Sequence, residues 1–568
     1  MKSGRILLEM LKLYEVEYVF GLPGETTLGW YNEWKRFGGI EHVMVRDERN
    51  AVFMADGYAK VSGKPGICEG PSVGAPHMLP GIVEAYSSCV PVIVITSDIP
   101  LNGEKHNMLT GADQTSMFKA FVKDTFNVYK AADLPFIIRR AFRLATSGRP
   151  GPVHIRLPQD VLKEDVEVKD LYAQPEFIRY PGKRFRAPQE DISAVSGLLR
   201  QSKRGVMICG QGALLSGAWG EVERTAEKYG LVVLTTINGK GIIDERSDYS
   251  GGIAGARGAN RVANGFVHDA DLIFFVGSST DSAGTGGWKF PAKDADIPMI
   301  QLDINEAELG NNYPVTAALL GDVKTTLAAL LEFDAGYAGE DRSNIEKLKR
   351  DKAAYAASVM GSLAATNVPC DPVRLAAEIE RAMPEDSILV VDPGISAVYP
   401  AGFIKSKGGR RDFVCNFAQG SLGYATAAAV GAAKASPGST IVHITGDGSF
   451  GFCAGEYETL ARMCCDIKVI LINNHSFGWI RVSNDMAYGN EPFATEFADV
   501  DYVKIIEGFG IPASRLGESD DLAQKLEALF AAKGTAFLEV ACEPEDKCVP
   551  PVPGWAEMAR EKGMNNHY

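Results

Sequence analysis

The sequence lacks the features of a membrane, disulfide-stabilised or nucleic-acid-binding protein. Its apolar runs stay short of the roughly 18 residues that a membrane-spanning helix needs. Its ten cysteines form no Cys-x-x-Cys pair, which predicts reduced thiols and a cytoplasmic protein. The net charge of −14 is spread along the chain, so we expect no nucleic-acid and no membrane partner.

Two common nucleotide-binding signatures are missing as well. No Gly-x-Gly-x-x-Gly opens a helix after the first strand of any region, and no P-loop occurs. Their absence argues against a nicotinamide-dependent dehydrogenase. At the N-terminus, Glu9, Lys12 and Glu15 interrupt an apolar run, so we predict an amphipathic first helix there and not a signal peptide.

One pattern recurs in three regions of the chain. Short runs rich in valine and isoleucine, such as "VPVIVITSDIP" and "KVILINN", alternate with segments of helical periodicity. Continuous apolar runs flanked by helices are typical of parallel sheets covered on both faces. We therefore predict an α/β protein with three consecutive doubly wound parallel-sheet domains, at 1–165, 190–336 and 371–545, followed by a C-terminal tail at 546–568.

Polar residues follow two of the apolar runs in the third region. Asp447 lies in a Gly-Asp-Gly after one run, and Asn474 ends the next. Ligands of doubly wound sheets bind at the carboxyl ends of strands. Oxygen ligands with a single charge suit Mg²⁺, which also takes phosphate oxygens and water. The backbone carbonyl of Ser476 is a third candidate ligand; the alternative is two unrelated turns.

The residues around Asp447 favour a bound phosphate. Gly446 and Gly448 let the backbone approach it closely, and the following helix N-terminus favours its negative charge. Ser449 is a candidate hydrogen-bond donor to the same group.

Together these residues resemble the diphosphate- and metal-binding motif of thiamine diphosphate-dependent enzymes, specifically the acetolactate synthase-like decarboxylases and carboligases. The resemblance covers nearly the whole chain. It implies a pyrimidine-binding, a middle and a diphosphate-binding domain, with thiamine diphosphate and Mg²⁺ as cofactors. It further implies a homodimer or homotetramer with active sites between subunits. The expected reaction is decarboxylation of a 2-oxo acid, followed by aldehyde release or carboligation to a second carbonyl.

The resemblance also implies a catalytic glutamate in the first domain. The family's stretch is matched by "VRDERNAVFMADGYAK", which assigns the role to Glu48. Its carboxylate would hydrogen-bond N1′ of the aminopyrimidine; a surface ion pair with Arg46 or Arg49 is the alternative. His77 stands where many relatives have asparagine. It either steers protons at the site or is a core histidine with one satisfied nitrogen.

Further cofactor contacts follow from the same resemblance. Leu422 takes the position of the large apolar residue that bends the cofactor, and the carbonyl of Gly420 would face the 4′ amino group. The remaining expected cofactor contacts are Gly24, Gly394, Ile395, Ser396, Phe477 and Gly478.

The substrate positions depart from those of acetolactate synthases. Trp479, a predicted catalytic residue, replaces a methionine, and Ser483 matches their specificity tryptophan. In the middle domain no arginine follows the "ADLIFFVG" strand, and Arg257 is the one good basic candidate for a nucleotide phosphate. FAD or ADP in this domain is therefore not favoured.

Three alternatives stay open at this stage. The chain could be an acyl-CoA-type lyase acting on oxalyl-CoA or a 2-hydroxyacyl-CoA, although its tail is not basic. The segment "ADQTSMF" also resembles sulfoacetaldehyde acetyltransferases. A cofactor-binding regulatory paralogue is the non-enzyme alternative, and the presence of Glu48 argues against it.

Overall fold

The computed structural model of this chain describes residues 1–339, 341–489, 493–566 and 568. It contains three six-stranded sheets, one in each of the three predicted regions. The strand pairs within them are parallel, and α-helices lie between most of the successive strands. The predicted α/β class is therefore confirmed.

The first sheet has the strand order β2-β1-β3-β4-β6-β5. Its central strands β4 and β6 are buried along their whole length, as expected of a sheet with helices on both faces. The strands are β1 (Tyr18–Gly21), β2 (Glu41–Met44), β3 (Gly66–Gly70), β4 (Val92–Asp98), β5 (Thr125–Asn127) and β6 (Val153–Pro158). The helices are α1 (Ser3–Leu13), α2 (Leu28–Trp34), α3 (Glu48–Ser62), α4 (Leu79–Ser87), α5 (Gln114–Phe118) and α6 (Leu134–Thr146).

The second sheet has the order β12-β11-β10-β7-β8-β9. Its strands are β7 (Gly205–Cys209), β8 (Val232–Thr235), β9 (Ser250–Ile253), β10 (Leu272–Val276), β11 (Met299–Asp303) and β12 (Ala317–Leu320). The helices here and in the following linker are α7 (Gln189–Gln201), α8 (Gln211–Ser216), α9 (Trp219–Tyr229), α10 (Arg261–Asp269), α11 (Val323–Phe333), α12 (Ser343–Ser358) and α13 (Met360–Ala364).

The third sheet has the order β14-β13-β15-β16-β18-β17. Its strands are β13 (Ile388–Val391), β14 (Phe413–Val414), β15 (Ile441–Gly446), β16 (Ile467–Asn473), β17 (Ala513–Arg515) and β18 (Ala536–Ala541). A small parallel pair near the C-terminus consists of β19 (Cys548–Val549) and β20 (Asn565–Asn566). The helices are α14 (Pro372–Ala382), α15 (Ile395–Phe403), α16 (Tyr424–Ala435), α17 (Asp447–Cys453), α18 (Tyr457–Met463), α19 (Gly478–Tyr488), α20 (Tyr502–Gly508), α21 (Leu522–Ala531) and α22 (Pro553–Glu561).

The chain divides into two compact units that do not follow the order of the sheets. The first unit consists of Met1–Lys183, Ala418–Ile441 and Cys453–Ile467, and the second of Arg184–Phe417, Val442–Phe452 and Lys468–Tyr568. Helices α16 and α18 therefore belong to the first unit, although they lie in the third sequence region. The predicted domain boundaries stay a prediction.

Within the first unit, α16 packs closely along α3. A Cβ at Gly57 would lie 2.5 Å from the carbonyl oxygen of Ala428, and one at Gly431 would overlap the carbonyl oxygen of Met54. Both glycines are therefore needed for the two backbones to approach this closely. None of the described helices combines the length and the hydropathy that crossing a bilayer requires.

Candidate active site

Glu48 occupies the first position of α3, in the first unit. Asp47 caps this helix by accepting a hydrogen bond from the backbone N–H of Arg49, 2.8 Å away. The Glu48 side chain is only 8 % exposed, and its Oε2 lies 3.2 Å from Nδ1 of His77, whose ring is 61 % exposed. A Cβ at Gly74 would overlap Glu48 Oε1, so that glycine makes room for the carboxylate. The structure thus brings two of the three predicted catalytic residues together.

A second acid, Glu456, holds the start of α3 in place, and the sequence analysis did not identify it. Glu456 is buried and accepts hydrogen bonds from Asn50 Nδ2 at 2.7 Å, the Arg46 backbone N–H at 3.2 Å and Thr459 Oγ1 at 2.7 Å. Burial raises the pKa of Glu456. Arg46 and Asn50 lie at the start of α3, so their hydrogen bonds hold this part of the chain, and with it Glu48, against the segment just before α18.

Gly24 lies in a set of loops joined at the carboxyl edge of the first sheet. A Cβ on Gly24 would overlap the Pro71 ring. Thr26 Oγ1 lies 2.7 Å from Ser97 Oγ and accepts a 3.1 Å hydrogen bond from the Ser72 backbone N–H. These contacts join the loops after β1 and β3 to the carboxyl end of β4.

The predicted contacts Gly420 and Leu422 lie just before α16, also in the first unit. Gly420 and Gly423 have φ values of +78° and +79°, a region that glycine enters without steric cost. The backbone N–H of Gln419 donates a 2.8 Å hydrogen bond to Glu84 Oε2. Leu422 is half-buried. The turn is thus held in shape while the leucine side chain is partly exposed.

Asp447 and Asn474 lie together in the second unit, at the ends of neighbouring strands β15 and β16. Asp447 is 5 % exposed. Its Oδ2 accepts a 3.2 Å hydrogen bond from the Asn474 backbone N–H, and its Oδ1 accepts a 2.8 Å bond from that of Gly448. Burial raises the pKa of Asp447 to about 6, with the backbone donors opposing the shift.

A buried glutamate, which the sequence did not reveal, completes this group. Asn474 Nδ2 donates a 3.0 Å hydrogen bond to Glu545 Oε2, and burial raises the pKa of Glu545 to about 7. A Cβ at Gly478 would overlap that carboxylate. Because an ionised carboxylate only accepts, Glu545 holds the amide nitrogen of Asn474 and leaves its oxygen for another ligand.

This group has the chemistry of a divalent-cation site. Two buried carboxylates, Asp447 and Glu545, form no ion pair within the described residues. Ser476 is buried, and its Oγ has no hydrogen-bond partner in the described part of the chain. Buried anionic oxygens are costly without a compensating charge, and Mg²⁺ prefers oxygen ligands. The residues present therefore fit the metal that the resemblance implies.

The other predicted diphosphate loop follows β13. Gly394 has φ +103° and caps α15, which begins at Ile395. Ser396 Oγ donates to the carbonyl oxygen of Asp392 at 2.9 Å, and Thr445 Oγ1 donates to Asp392 Oδ2 at 2.8 Å. These bonds connect the carboxyl ends of β13 and β15, so the Gly394 loop and the Asp447 loop share one edge of the sheet.

The start of α19 is packed against the same edge. A Cβ at Gly448 would lie 2.8 Å from the Phe477 ring, and the Phe477 and Phe497 rings meet edge-on at 4.7 Å. Ser449 is buried. Trp479, the third predicted catalytic residue, contacts Trp555 of α22 with ring centroids 4.4 Å apart, so the described part of the C-terminal tail covers the helix that follows Asn474.

Comparison with protein families assigns a class to this arrangement. Residues 1–117 match the thiamine pyrophosphate enzyme N-terminal TPP-binding domain, 192–330 the central domain and 392–540 the C-terminal TPP-binding domain. Glu48 lies in the first match, and Asp447 and Asn474 lie in the third. Fold and matches together define a thiamine diphosphate enzyme.

Relatives that match over nearly the whole chain identify the family within this class. The acetolactate synthase of Arthrospira platensis is 30 % identical over 575 residues, covering 96 % of this chain and 95 % of the relative. The probable acetolactate synthase large subunit of Methanococcus aeolicus is 28 % identical over 569 residues, covering 97 % and 94 %. The chain belongs to the acetolactate synthase-like family of thiamine diphosphate-dependent enzymes. It is an enzyme of thiamine diphosphate-dependent decarboxylation and carboligation.

Proposed function

We propose that the enzyme decarboxylates a small 2-oxo acid and then releases an aldehyde or joins the remaining fragment to a second carbonyl. The observation that carries this proposal is the contact between buried Asp447 and half-buried Asn474 at adjacent strand ends, where the Asn474 backbone N–H donates to Asp447 Oδ2 at 3.2 Å. Because the relatives are named for acetolactate synthesis, carboligation is the first outcome to test.

Asp447, Asn474 and Ser476 would hold Mg²⁺, and through it the cofactor diphosphate. Asp447 supplies the anionic oxygen. Asn474 Nδ2 donates to Glu545 Oε2 at 3.0 Å, which leaves the Asn474 amide oxygen free to face the metal. The glycines at 446, 448 and 394 would let phosphate oxygens approach the backbone. When bound, thiamine diphosphate supplies the electron sink for the bond that breaks as CO₂ leaves.

Glu48 would share a proton with N1′ of the aminopyrimidine. Its burial suits this task, because a carboxylate screened from water interacts strongly with a ring nitrogen. His77 lies 3.2 Å from Glu48 and is 61 % exposed, and we propose that it passes a proton between this carboxylate and solvent. Gly420 and Leu422 would contact the same ring system, as the resemblance implies.

The test is a panel of 2-oxo acids supplied to the purified protein with thiamine diphosphate and Mg²⁺. Pyruvate, glyoxylate, 2-oxoglutarate and phenylpyruvate are each given with and without an acceptor aldehyde, and CO₂ and products are followed by NMR. We expect cofactor-dependent CO₂ release from at least one acid. No release from any acid, with the cofactor bound by calorimetry, would overturn the proposed reaction.

The Glu48→Gln variant tests the assigned catalytic group. We expect turnover to fall by a factor of about 100 or more, in the range of general acid–base contributions, while the melting temperature stays near that of the parent. His77→Asn, which keeps a hydrogen-bond partner near Glu48, should cost less. A fully active Glu48→Gln protein would exclude the role.

The active sites would lie between subunits of a homodimer or homotetramer. This can be tested by mixing two inactive variants, Glu48→Gln and Asp447→Asn, under conditions of subunit exchange. If each site takes one group from each chain, half of the sites in a mixed dimer are intact, and a random mixture recovers about a quarter of the parent activity. No recovery, with exchange verified by mass spectrometry, would place both groups in one chain's site.

A further inference from the structure

Arg257 lies between β9 and α10 in the second unit and has an unusual environment. It is half-buried, and within the described residues its guanidinium forms no ion pair; its hydrogen bond goes to the carbonyl oxygen of Ala256 at 3.3 Å. Burial lowers its pKa with no opposing carboxylate. In a chain with 72 acidic residues against 58 basic ones, a half-buried arginine without a carboxylate partner calls for an explanation.

The loop that carries Arg257 is fixed. Asn264 accepts a 2.8 Å hydrogen bond from the Gly255 backbone N–H and donates a 2.9 Å bond to the Gly255 carbonyl oxygen. Gly255 and Gly258 have φ values of +94° and +69°. A Cβ on Gly258 would lie 2.9 Å from Ala401 Cβ. The backbone on both sides of Arg257 is therefore preorganised.

The guanidinium is held over an aromatic ring. Its carbon lies 4.6 Å from the centroid of Trp479, and Trp555 packs against Trp479. Trp479 stands in the first turn of α19, five residues after Asn474 and three after Ser476. Contact with the indole face restrains the guanidinium, whose planar set of N–H donors suits a planar anion.

We infer that Arg257, held on Trp479, is a specificity-determining residue that binds the carboxylate of a 2-oxo acid acceptor in the proposed reaction. This inference rests on the proposed function. An acceptor fits better than the donor, because a guanidinium bound to the departing carboxylate would stabilise the ground state more than the transition state. The acceptor carboxylate persists through the reaction and gains from a paired, bidentate contact.

A single guanidinium also fits a carboxylate better than a nucleotide diphosphate. The nearby Arg261 is exposed and lies 5.4 Å from the Tyr355 ring centroid. One cation matches one carboxylate in charge and in geometry. A diphosphate carries more charge than Arg257 alone would neutralise.

The kinetic test compares acceptors in Arg257→Gln, Arg257→Lys and the control Arg261→Gln. With pyruvate as donor, we expect Arg257→Gln to raise KM for a 2-oxo acid acceptor by about 10- to 100-fold, the range for losing a charged hydrogen-bond partner. KM for a neutral aldehyde acceptor should stay unchanged. Arg257→Lys should recover only part of the loss, since lysine lacks the planar fork, and Arg261→Gln should match the parent.

An equilibrium measurement tests the same inference without turnover. Oxamate, an unreactive 2-oxo acid analogue, and its neutral ethyl ester are titrated into the cofactor-free protein by calorimetry. We expect Arg257→Gln to weaken oxamate binding by about 10-fold or more and to leave the ester unaffected. Equal oxamate affinity in parent and variant, or no oxamate binding by the parent, would overturn the inference.

Nucleotide titrations test whether Arg257 binds a nucleotide phosphate and not a carboxylate. If ADP or FAD loses affinity in Arg257→Gln while oxamate does not, the residue binds a phosphate and the inference fails. CO₂ release by the parent enzyme tests the proposed function, and these binding measurements do not depend on it. A melting temperature within a few degrees of the parent is required for each variant.

Discussion

Two buried clusters of charged and polar side chains differ in one respect. In the first unit, Lys60 Nζ lies 2.7 Å from Asp56 Oδ2, with both side chains fully buried, and Glu84 Oε1 lies 3.9 Å from the same nitrogen. In the second unit, Asp447 and Glu545 are equally buried but form no ion pair within the described residues. The first cluster contains its own cation, and the second does not.

This difference separates a structural cluster from a binding site. The Tyr424 hydroxyl of α16 donates to Asp56 of α3 at 2.6 Å, so the Lys60 cluster helps hold two helices together. The Asp447 cluster instead has two carboxylates whose pKa values burial raises to about 6 and about 7. A folded protein keeps such groups at a cost, which a bound cation offsets.

The largest expected effect comes from removing the cation of the structural cluster. Lys60→Met leaves Asp56 and Glu84 buried without a charge partner, and breaking a buried pair in this way costs about 3–5 kcal/mol. We expect a marked fall in the midpoint of chemical unfolding. The control is Lys169→Met, because the pair of Lys169 with Glu167 is largely exposed and should matter by about 1 kcal/mol or less. Equal effects of the two substitutions would refute the comparison.

Removing a charge from the other cluster should have the opposite effect on folding. Asp447→Asn keeps the shape but loses the anionic ligand, so we expect Mg²⁺ affinity to fall by about 100- to 1,000-fold, or about 3–4 kcal/mol. The unfolding midpoint of the metal-free protein should stay the same or rise, because a buried charge has been removed. Calorimetric Mg²⁺ titration and chemical unfolding measure the two effects. Unchanged Mg²⁺ affinity would remove Asp447 from the site.

The pH dependence of the metal-free protein follows from the raised pKa of Asp447. Its ordinary value of 3.8 becomes about 6 on folding, so the folded state binds more protons than the unfolded state between these values. Stability from this group is therefore fully present below about pH 4 and is lost as the pH rises towards 6, by at most about 3 kcal/mol. Comparing the parent with Asp447→Asn across this window isolates the effect. Saturating Mg²⁺ should reverse its sign, and a pH-independent difference would contradict it.

The long buried strands could be predicted from the sequence, and several of the edge strands could not. β4 and β16 are seven-residue strands buried throughout, and apolar runs mark them clearly. The edge strands β9, β12, β14 and β17 have no comparable apolar run. Each has only two to four residues, and β17 is partly exposed. A segment this short, paired with a single neighbouring strand, does not give an apolar run long enough to be recognised in the sequence.

The residues of the candidate site also include some that the sequence predicts and some that it does not. Asp447 and Asn474 could be predicted because each directly follows a strand whose end the apolar pattern marks. Glu545 is one acid among several in "EPED". Its role depends on a hydrogen bond to Asn474, 71 residues earlier. Glu456 likewise contacts Asn50 across 406 residues. No local pattern encodes such tertiary contacts.

The smallest predicted effect concerns the space that Gly478 leaves for Glu545. A Cβ there would overlap the carboxylate, so Gly478→Ala should displace Glu545 from the Asn474 amide, at a cost of about 1–3 kcal/mol for overpacking. We expect Mg²⁺ affinity to fall by about 10-fold, since Asn474 loses the contact that orients it. Gly508→Ala is the matched control: Gly508 ends α20, and a Cβ there meets no described atom within 4 Å. If both alanines leave Mg²⁺ affinity unchanged, Glu545 does not orient Asn474, and the two buried carboxylates act separately.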